Sequence, residues 1–184
     1  LARLKRAILE ELLIACNAEI VQLPGGVIKV LSLSDQPAGD YVPCSASYTI
    51  DETDILGSDL LQMTTRERSE CYNAIPVQYK DATKGFEDAT YVWRDEFDSA
   101  QYGRRTGSPV SSRWITSSQH AMLVSQTLTR RSLQERRSFV FRLPPQYCLL
   151  EPGDLLTVSD VSFPATTIRI LSIDESDDYS LEVE

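Results

Sequence analysis

The chain has 184 residues, a hydrophobic fraction of 42%, a charged fraction of 24% and a formal net charge of −9. These values are typical of an ordinary globular protein with one large domain or two small ones. They exclude a membrane-spanning helix, because no run of about 18 apolar residues occurs, and they argue against a dedicated nucleic-acid-binding domain, which is usually basic.

The charge alternates in sign along the chain. Residues 35–99 carry a net charge of −9, residues 100–150 carry +7 and residues 151–184 carry −8. This pattern predicts either salt bridges between neighbouring surfaces of one fold or complementary faces on adjacent subunits.

The four cysteines, Cys16, Cys44, Cys71 and Cys148, are far apart and form no CxxC pair. Disulfide frameworks and zinc sites need closer or patterned spacing, so we expect buried free thiols. His120 is the only histidine, which leaves little material for a histidine metal site or a histidine-assisted nucleophile. We expect it to be a surface or packing residue, and we predict no metal site and no cofactor.

The first 50 residues are expected to form a partial subdomain that consists of a helix and a β-hairpin. Apolar residues at steps of three and four predict an amphipathic helix over residues 1–17. Two apolar runs, 18–23 and 27–33, follow on either side of Pro24-Gly25-Gly26, a sequence that favours a tight hairpin. Residues 34–47 are rich in turn formers and predict a connection.

The middle of the chain is predicted to be extended and then helical. Asp51 or Thr53 is expected to cap a short turn, and residues that favour strands begin at Gln62. Two paired strands are predicted around residues 73–79 and 90–95, joined by a turn. Pro76 interrupts the first of them, which argues for an edge strand or a bulge.

Two helices are predicted downstream, a short one over 95–103 that Gly103 closes and a long one at about 117–134. Ser117 or Thr116 is its expected N-cap, and three residues form its apolar stripe: Ala121, Val124 and Leu128.

The final third is predicted to be three or four strands joined by short turns. Phe139, Phe141 and Leu143 alternate on one face of the first strand. Pro152-Gly153-Asp154 is a structural turn that starts the next strand. Proline and glycine suit a tight turn, and the Asp154 carboxylate is expected to accept backbone N–H bonds.

In this order, the segments resemble the hub region of tail-tip proteins of long-tailed phages and gene transfer agents, also called host-specificity or tip attachment proteins. The resemblance covers most of the chain, most firmly residues 66–175. The matching positions are Arg68, Asn73, Tyr79, Asp81, Tyr102, Gly103, Gln119, Ala121, Arg136, Arg137, Pro152, Gly153, Asp154 and Ile170. Pro76 departs from the pattern, which has an uninterrupted strand there.

The resemblance implies an α+β, β-dominated fold, with a barrel-like hub domain over residues 51–184 and two long helices in the chain. It implies a non-enzymatic structural component of a tail tip or baseplate hub, in a ring at the distal end of the tail tube that serves DNA passage and host attachment. The expected location is the virion tail, after assembly in the bacterial cytoplasm. The chain starts at Leu1 rather than Met, so we expect a piece of a longer protein.

The partners that the resemblance implies are further copies of the chain in a homotrimeric ring and other tail proteins. DNA would pass through the lumen without being specifically bound, since acidic walls repel phosphates. A host-surface receptor would be contacted through regions outside this sequence.

Five arginines are candidate subunit contacts: Arg130, Arg131, Arg136, Arg137 and Arg142. The alternative is that they mark a solvated helix end, where cations face the negative end of the helix dipole. A second hypothesis is a receptor- or glycan-binding module with Trp93, Trp114 and Tyr102 as the ligand platform. Packing in a core or an interface is the alternative for these aromatic residues.

The third hypothesis is a cell-wall hydrolase, which needs two placed carboxylates. Because the chain has 27 acidic residues, many pairs could be named as candidate catalytic carboxylates, such as Glu96 and Asp98 or Asp51 and Asp54. Naming such a pair is not evidence for catalysis. The sequence contains no HExxH, GxSxG or Cys-His grouping. We therefore predict no catalytic residue.

Overall fold

The computed structural model describes residues 2–23, 26–32, 45–57, 61–160 and 163–184. The chain forms two compact units. Unit 1 contains residues 1–19 and 66–136, and unit 2 contains residues 20–65 and 137–184. The two units do not correspond to the division near residue 50 that the sequence predicts, and that division into domains stays a prediction.

The described residues form a mixed α/β structure that is rich in strands. The helices are α1 (Ala2–Cys16), α2 (Glu96–Tyr102) and α3 (Ser118–Gln134). The strands are β1 (Ala18–Gln22), β2 (Ile28–Ser32), β3 (Tyr48–Ile50), β4 (Gln62–Thr65), β5 (Ala74–Asp81), β6 (Glu87–Arg94), β7 (Val110–Ser111), β8 (Arg137–Leu143), β9 (Leu155–Asp160), β10 (Phe163–Arg169), β11 (Ile173–Glu175) and β12 (Leu181–Val183).

Each helix lies within the range that its periodicity and its capping residues predict. Ser117 is the N-cap of α3, since its side chain accepts the backbone N–H of His120, so the alternative cap Thr116 is not used. The Asp95 side chain caps α2 by accepting the N–H of Asp98, and Gly103 ends that helix with a φ of 79°. A carboxylate cap and a glycine at positive φ are the expected signals for a helix of seven residues.

Unit 1 is built on a three-stranded sheet with the order β6-β5-β7, and α3 packs on β5 and β6. Its hydrophobic core consists of Ala15, Val77, Tyr79, Ile115, Ala121 and Val124. The Nε2 atom of His120 lies 2.8 Å from the carbonyl oxygen of Ala15. His120 therefore joins the first turn of α3 to the end of α1.

Pro76 lies in the central strand of this sheet, so the prediction of an edge strand or bulge is wrong. The N–H of Asp95 donates to the Asn73 carbonyl, so the odd-numbered residues of β5 direct their backbone groups towards β6 and the even-numbered ones towards the other edge. On that edge, Ala74 accepts from Gly107 and Gln78 accepts from Ser112. Pro76 falls between these bonds, where no N–H donor is needed.

Two buried hydroxyls of α3 complete the hydrogen bonding between β5 and β6. The Trp93 N–H donates to Ser125 Oγ over 2.8 Å, and Ser125 Oγ donates to the Ile75 carbonyl over 2.7 Å. The Ile75 N–H donates to Thr129 Oγ1 over 3.2 Å. Both hydroxyl residues are fully buried, so the helix adds side-chain hydrogen bonds to the opposed strand pair Ile75 and Trp93.

Unit 2 contains two main sheets, with the orders β10-β9-β3 and β11-β12-β8-β4, and the two-stranded sheet β1-β2. Its core residues are Ile50, Ile55, Phe139, Phe141, Leu143, Tyr147, Leu150, Leu156, Val158, Ile170, Leu181 and Val183. Phe139, Phe141 and Leu143 are all buried, as their alternation predicts. Burial raises the pKa of the Tyr147 phenol, and the nearby Asp54 carboxylate raises it further.

The chain changes sheets between β10 and β11. The Ile170 N–H donates to the Asp154 carbonyl beside β9, and the next N–H, that of Leu171, donates to Glu184 beyond β12. Residues 163–175 therefore contain two strands, and the described part of the final third has five strands where three or four were predicted.

Further expectations are corrected by the structure. The sheets of the described residues are separate and open, and none closes into a barrel. Cys71 is buried, but Cys16 and Cys148 are exposed, so the prediction of buried thiols is wrong for these two. Cys44, most of the connection at 34–47, and the hairpin residues Pro24 and Gly25 lie outside the described residues. No helix in the described part of the chain is long and apolar enough to cross a membrane.

We predict that Ser125→Ala lowers the free energy of unfolding by about 1–3 kcal/mol, because the Trp93 N–H and the Ile75 carbonyl lose their buried partner. Thermal or urea unfolding followed by circular dichroism measures the loss. Thr127→Ala is the matched control, since in the part of the chain that the structure describes the Thr127 hydroxyl bonds the Leu123 carbonyl of the same helix and nothing else. Equal stability of the two variants would contradict the bridging role of Ser125.

Candidate functional site

The turn at Pro152-Gly153-Asp154 is a tightly bonded element of unit 2. The Gly153 N–H donates to the Ile170 carbonyl over 2.8 Å, and the Ile170 N–H returns a bond to the Asp154 carbonyl over 3.0 Å. The Asp154 carboxylate accepts the Glu151 N–H over 3.0 Å. The turn therefore fixes the start of β9 against the end of β10.

Two side chains of β2 also contact this turn. Lys29 Nζ lies 2.8 Å from the Glu151 carboxylate and 4.0 Å from that of Asp154. Leu31 packs directly on Gly153, where an added Cβ atom would lie 2.0 Å from the Leu31 Cδ1 atom. Gly153 also has a φ of 96°, which favours glycine. Two separate constraints thus require glycine at this position.

A second candidate site is a polar cluster in unit 1, and it is centred on the fully buried side chain of Asn73. Asn73 Nδ2 donates to the Gly103 carbonyl over 2.8 Å and to Asp98 Oδ2 over 2.9 Å. Asn73 Oδ1 accepts the Arg105 N–H over 2.7 Å. The amide is therefore satisfied on both its donor and its acceptor side, as burial requires.

Charged groups close this Asn73 cluster. The Arg105 guanidinium forms an ion pair with Asp98, and each side chain is only 15% exposed. Arg105 Nε also donates to the Cys71 carbonyl over 2.8 Å. Arg68 lies 3.5 Å from the second Asp98 oxygen and stacks over the Tyr102 ring at 3.6 Å from its centre.

The cluster brings together four of the positions that carried the sequence resemblance: Arg68, Asn73, Tyr102 and Gly103. Sequence reasoning missed their partners Asp98 and Arg105, because single charged residues in a charged segment carry no local signal. The arrangement binds segments of the chain to each other. Its donors and acceptors are paired internally, so the chemistry is that of a structural clasp.

The candidate contact arginines mostly have partners within the chain. Arg131 Nε lies 2.9 Å from Glu135, and Arg142 lies 3.5 Å from Glu182. Arg130 lies over the Trp93 ring at 5.7 Å, and Arg136 donates to the Arg66 carbonyl over 3.2 Å. Arg137 is exposed and forms no ion pair with any carboxylate of the described residues. The subunit contacts stay a prediction.

The candidate ligand platform is spread over separate elements. Trp93 is half-buried on β6, Tyr102 ends α2 beneath Arg68, and Trp114 follows β7. Trp114 is 47% exposed and Tyr102 is 45% exposed. Each of Trp93 and Tyr102 has its own arginine partner. A shared platform of the three residues therefore stays a prediction.

The nominated acidic pairs form local hydrogen bonds and ion pairs. Glu96 pairs with Arg94 at 2.7 Å, and Asp98 belongs to the Asn73 cluster. The Thr53 hydroxyl, which donates to Asp51, lowers the pKa of that carboxyl. Among the described residues, no group of three or more His, Cys, Asp or Glu side chains is arranged to hold a metal ion.

We predict that Gly153→Ala lowers the free energy of unfolding by about 2–4 kcal/mol, since it combines backbone strain with overpacking against Leu31. Gly85→Ala is the control for strain alone, because Gly85 has a φ of 69° and open space around it. We expect this control to cost about 1 kcal/mol. The Leu31→Ala background should remove part of the Gly153→Ala loss in a double-mutant cycle, and strictly additive losses would refute the contact.

We predict that Arg105→Ala lowers the free energy of unfolding by about 2–4 kcal/mol, because it leaves the mostly buried Asp98 carboxylate short of a partner. Arg104→Ala is the matched control, since the only partner of the Arg104 side chain among the described residues is the exposed Thr106 hydroxyl. Urea unfolding measures both variants. Similar stabilities would show that the Asn73 cluster is not a stabilising clasp.

Comparison with known proteins identifies the family. A family model described as "Putative phage tail protein" matches residues 5–173. The comparison with curated proteins found no match.

Solved structures share the fold. A chain in the virion of a native gene transfer agent particle is 20% identical with a TM-score of 0.69, and the match covers 98% of this chain and 38% of that one. The 43 kDa tail protein of prophage MuSo2 from Shewanella oneidensis is 16% identical with a TM-score of 0.59, with coverages of 95% and 52%. A tail protein from Neisseria meningitidis MC58 is 11% identical with a TM-score of 0.53, with coverages of 92% and 50%.

The chain therefore spans between 38% and 52% of the lengths of these three structures. At these identities the structural likeness establishes the fold alone, while the family model matches most of the sequence. The chain belongs to the family of phage tail proteins.

Proposed function

We propose that this protein is a non-enzymatic structural component of a phage-like tail tip or baseplate hub, located in the virion tail after assembly in the bacterial cytoplasm. The observation that carries the proposal is the family match over residues 5–173. The internally bonded turn at residues 152–154 and the internally paired Asn73 cluster support it, since both bind parts of the chain to each other.

The proposed assembly is a homotrimeric ring, with further tail proteins as neighbours. The alternating charge of the chain supports ring-forming contacts, because segments of opposite net charge favour complementary faces. In such a ring the open sheets of unit 2 would line a barrel-like hub. An acidic lumen would let DNA pass without retaining it.

We propose the same domain organisation as the sequence predicts, with a partial helix-and-hairpin subdomain over residues 1–50 and a hub domain over residues 51–184. A host-surface receptor would be bound through regions outside this sequence.

A second candidate function is a receptor- or glycan-binding module. The exposed rings of Trp114 and Tyr102 favour it, because partly exposed aromatic faces bind sugars and peptides. Binding of host glycans to the purified chain, lost in Trp114→Ala and in Tyr102→Ala and retained in Tyr179→Ala, an exposed aromatic residue outside the platform, would support this function over the ring.

We predict that the purified chain associates at low salt into a species whose mass is three times the 20.7 kDa monomer. The association should weaken as salt rises, because exposed charge pairs are screened beyond about 10 Å at 0.1 M salt. Light scattering at several concentrations and two salt levels measures the mass, and negative-stain microscopy tests for rings. A strict monomer at every concentration would contradict ring formation by this chain.

A further inference from the structure

The four-stranded sheet of unit 2 has two open edges, β4 and β11, with the order β11-β12-β8-β4. Every neighbouring pair in this sheet is antiparallel, so β4 and β11 run in opposite directions. Within the described residues no further strand pairs with either edge. An open edge presents unpaired backbone donors and acceptors that a further strand can bind.

The backbone groups that face outwards on β4 belong to Met63 and Thr65. The register pairs Thr65 with Arg137, and the Arg66 N–H donates to the Arg136 carbonyl over 2.9 Å. Because bonding alternates along an antiparallel pair, Gln62 and Thr64 also bond inwards to β8. The remaining two residues therefore direct their N–H and C=O groups away from the sheet.

The same reasoning applies to β11. The Ser176 N–H donates to Ser180 over 2.9 Å, and Glu184 donates to Ser172 over 3.1 Å, so even-numbered residues bond inwards to β12. Ile173 and Glu175 are left with outward groups. Each edge thus offers two residues, two positions apart, which is the spacing at which two antiparallel strands exchange hydrogen bonds.

The two edges differ in charge, because the β11 edge is acidic, whereas β4 itself is uncharged and has the exposed cation Arg137 beside it on β8. Asp174, Glu175 and Asp177 are exposed on β11 and its turn, and none forms an ion pair with the described residues. Arg137 lies beside β4 in the register and is exposed without an ion pair in the same part of the chain. All four residues of β4 are exposed as well.

We propose that β4 of one copy pairs antiparallel with β11 of a second copy, which makes this edge contact the interface between subunits. The inference rests on the proposed function, because it names the partner surface of the self-association. The Arg137 cation beside β4 attracts the carboxylates of β11, and two β11 edges repel each other because their carboxylates would lie opposite one another. The contact is heterologous, so repetition closes a ring or extends a filament.

Ile173→Pro tests the backbone part of this contact. Proline removes an outward N–H that unit 2 does not use, and Ile173→Ala is the control, because it loses the same core-packed side chain but keeps the N–H. Association of Ile173→Pro should be at least about tenfold weaker than that of Ile173→Ala. Asp174→Pro is the opposite case, because it removes an inward bond to β12 and should lower the unfolding midpoint. Sedimentation equilibrium measures the association constant of each variant.

A charge swap tests the side-chain part. Glu175→Arg and Arg137→Glu should each weaken association at low salt, and the double variant should recover most of the loss. Glu96→Arg is the control with the same change of charge at a residue that belongs to neither edge strand, and it should leave association unchanged.

The outcomes separate the two proposals. Wild-type association that is unchanged in Ile173→Pro and in both charge variants overturns the edge contact and leaves the proposed hub function standing. A monomeric wild type at every concentration overturns self-association itself, and with it the edge contact. Two results together support the edge contact and the proposed hub function. Association is lost in Ile173→Pro, and the double charge variant recovers the association that each single charge variant loses.

Discussion

The buried side-chain amide of Asn73 is the interaction on which the arrangement of unit 1 depends. A buried amide without partners is costly, so its bonds to Gly103, Arg105 and Asp98 fix three points of the chain together. A helix as short as α2 is not stable by itself. It is held by the Asp95 cap at its start and by the Asn73 bond to Gly103 at its end.

The bonds of Asn73 also determine which segment pairs with the outer edge of β5. Because the segment after Gly103 is held beside the start of β5, its backbone can bond Ala74 and then continue to β7. The outer edge of β5 is thereby occupied on both sides of the Pro76 nitrogen, which has no N–H to donate. A proline in a central strand is tolerated here because its nitrogen faces a gap between two bonded stretches.

Local features of the sequence predicted the elements well. Period and capping placed α1, α2 and α3, and alternation placed the buried face of β8. The failures involve partners that are distant in sequence. Pro76 was interpreted as an edge marker because the direction of its nitrogen depends on register. The break at Ile170 was missed because only the two different sheets that bond Ile170 and Leu171 reveal it.

In the candidate sites too, the sequence indicated individual residues but not the distant partners that they contact. The resemblance indicated Asn73, Gly103 and Gly153. Helix-end and turn preferences explained the two glycines in part, but nothing in the sequence showed what Asn73 bonds or what lies over Gly153. The structure supplies the partners of the Asn73 amide and the Leu31 side chain that occupies the place of a Cβ atom on Gly153. Ser125 and Thr129 did carry a signal, since two hydroxyls four residues apart flank the apolar stripe of α3.

The folded protein shows which charges of the alternating pattern are paired within the chain. Arg131 and Arg142 have carboxylate partners within the chain, so the positive segment is not wholly available to a neighbour. Among the described residues, the charges without an ion pair include Arg137, beside β4, and the carboxylates of β11. Because only the β11 edge is acidic and the cation lies beside the other edge, these charges favour a head-to-tail contact over a symmetric one. Paired strands are twisted relative to each other in a fixed direction, so strand pairing would also rotate each copy relative to the next in that direction. Ring closure would then be set by sheet geometry, while the charges select which edges meet.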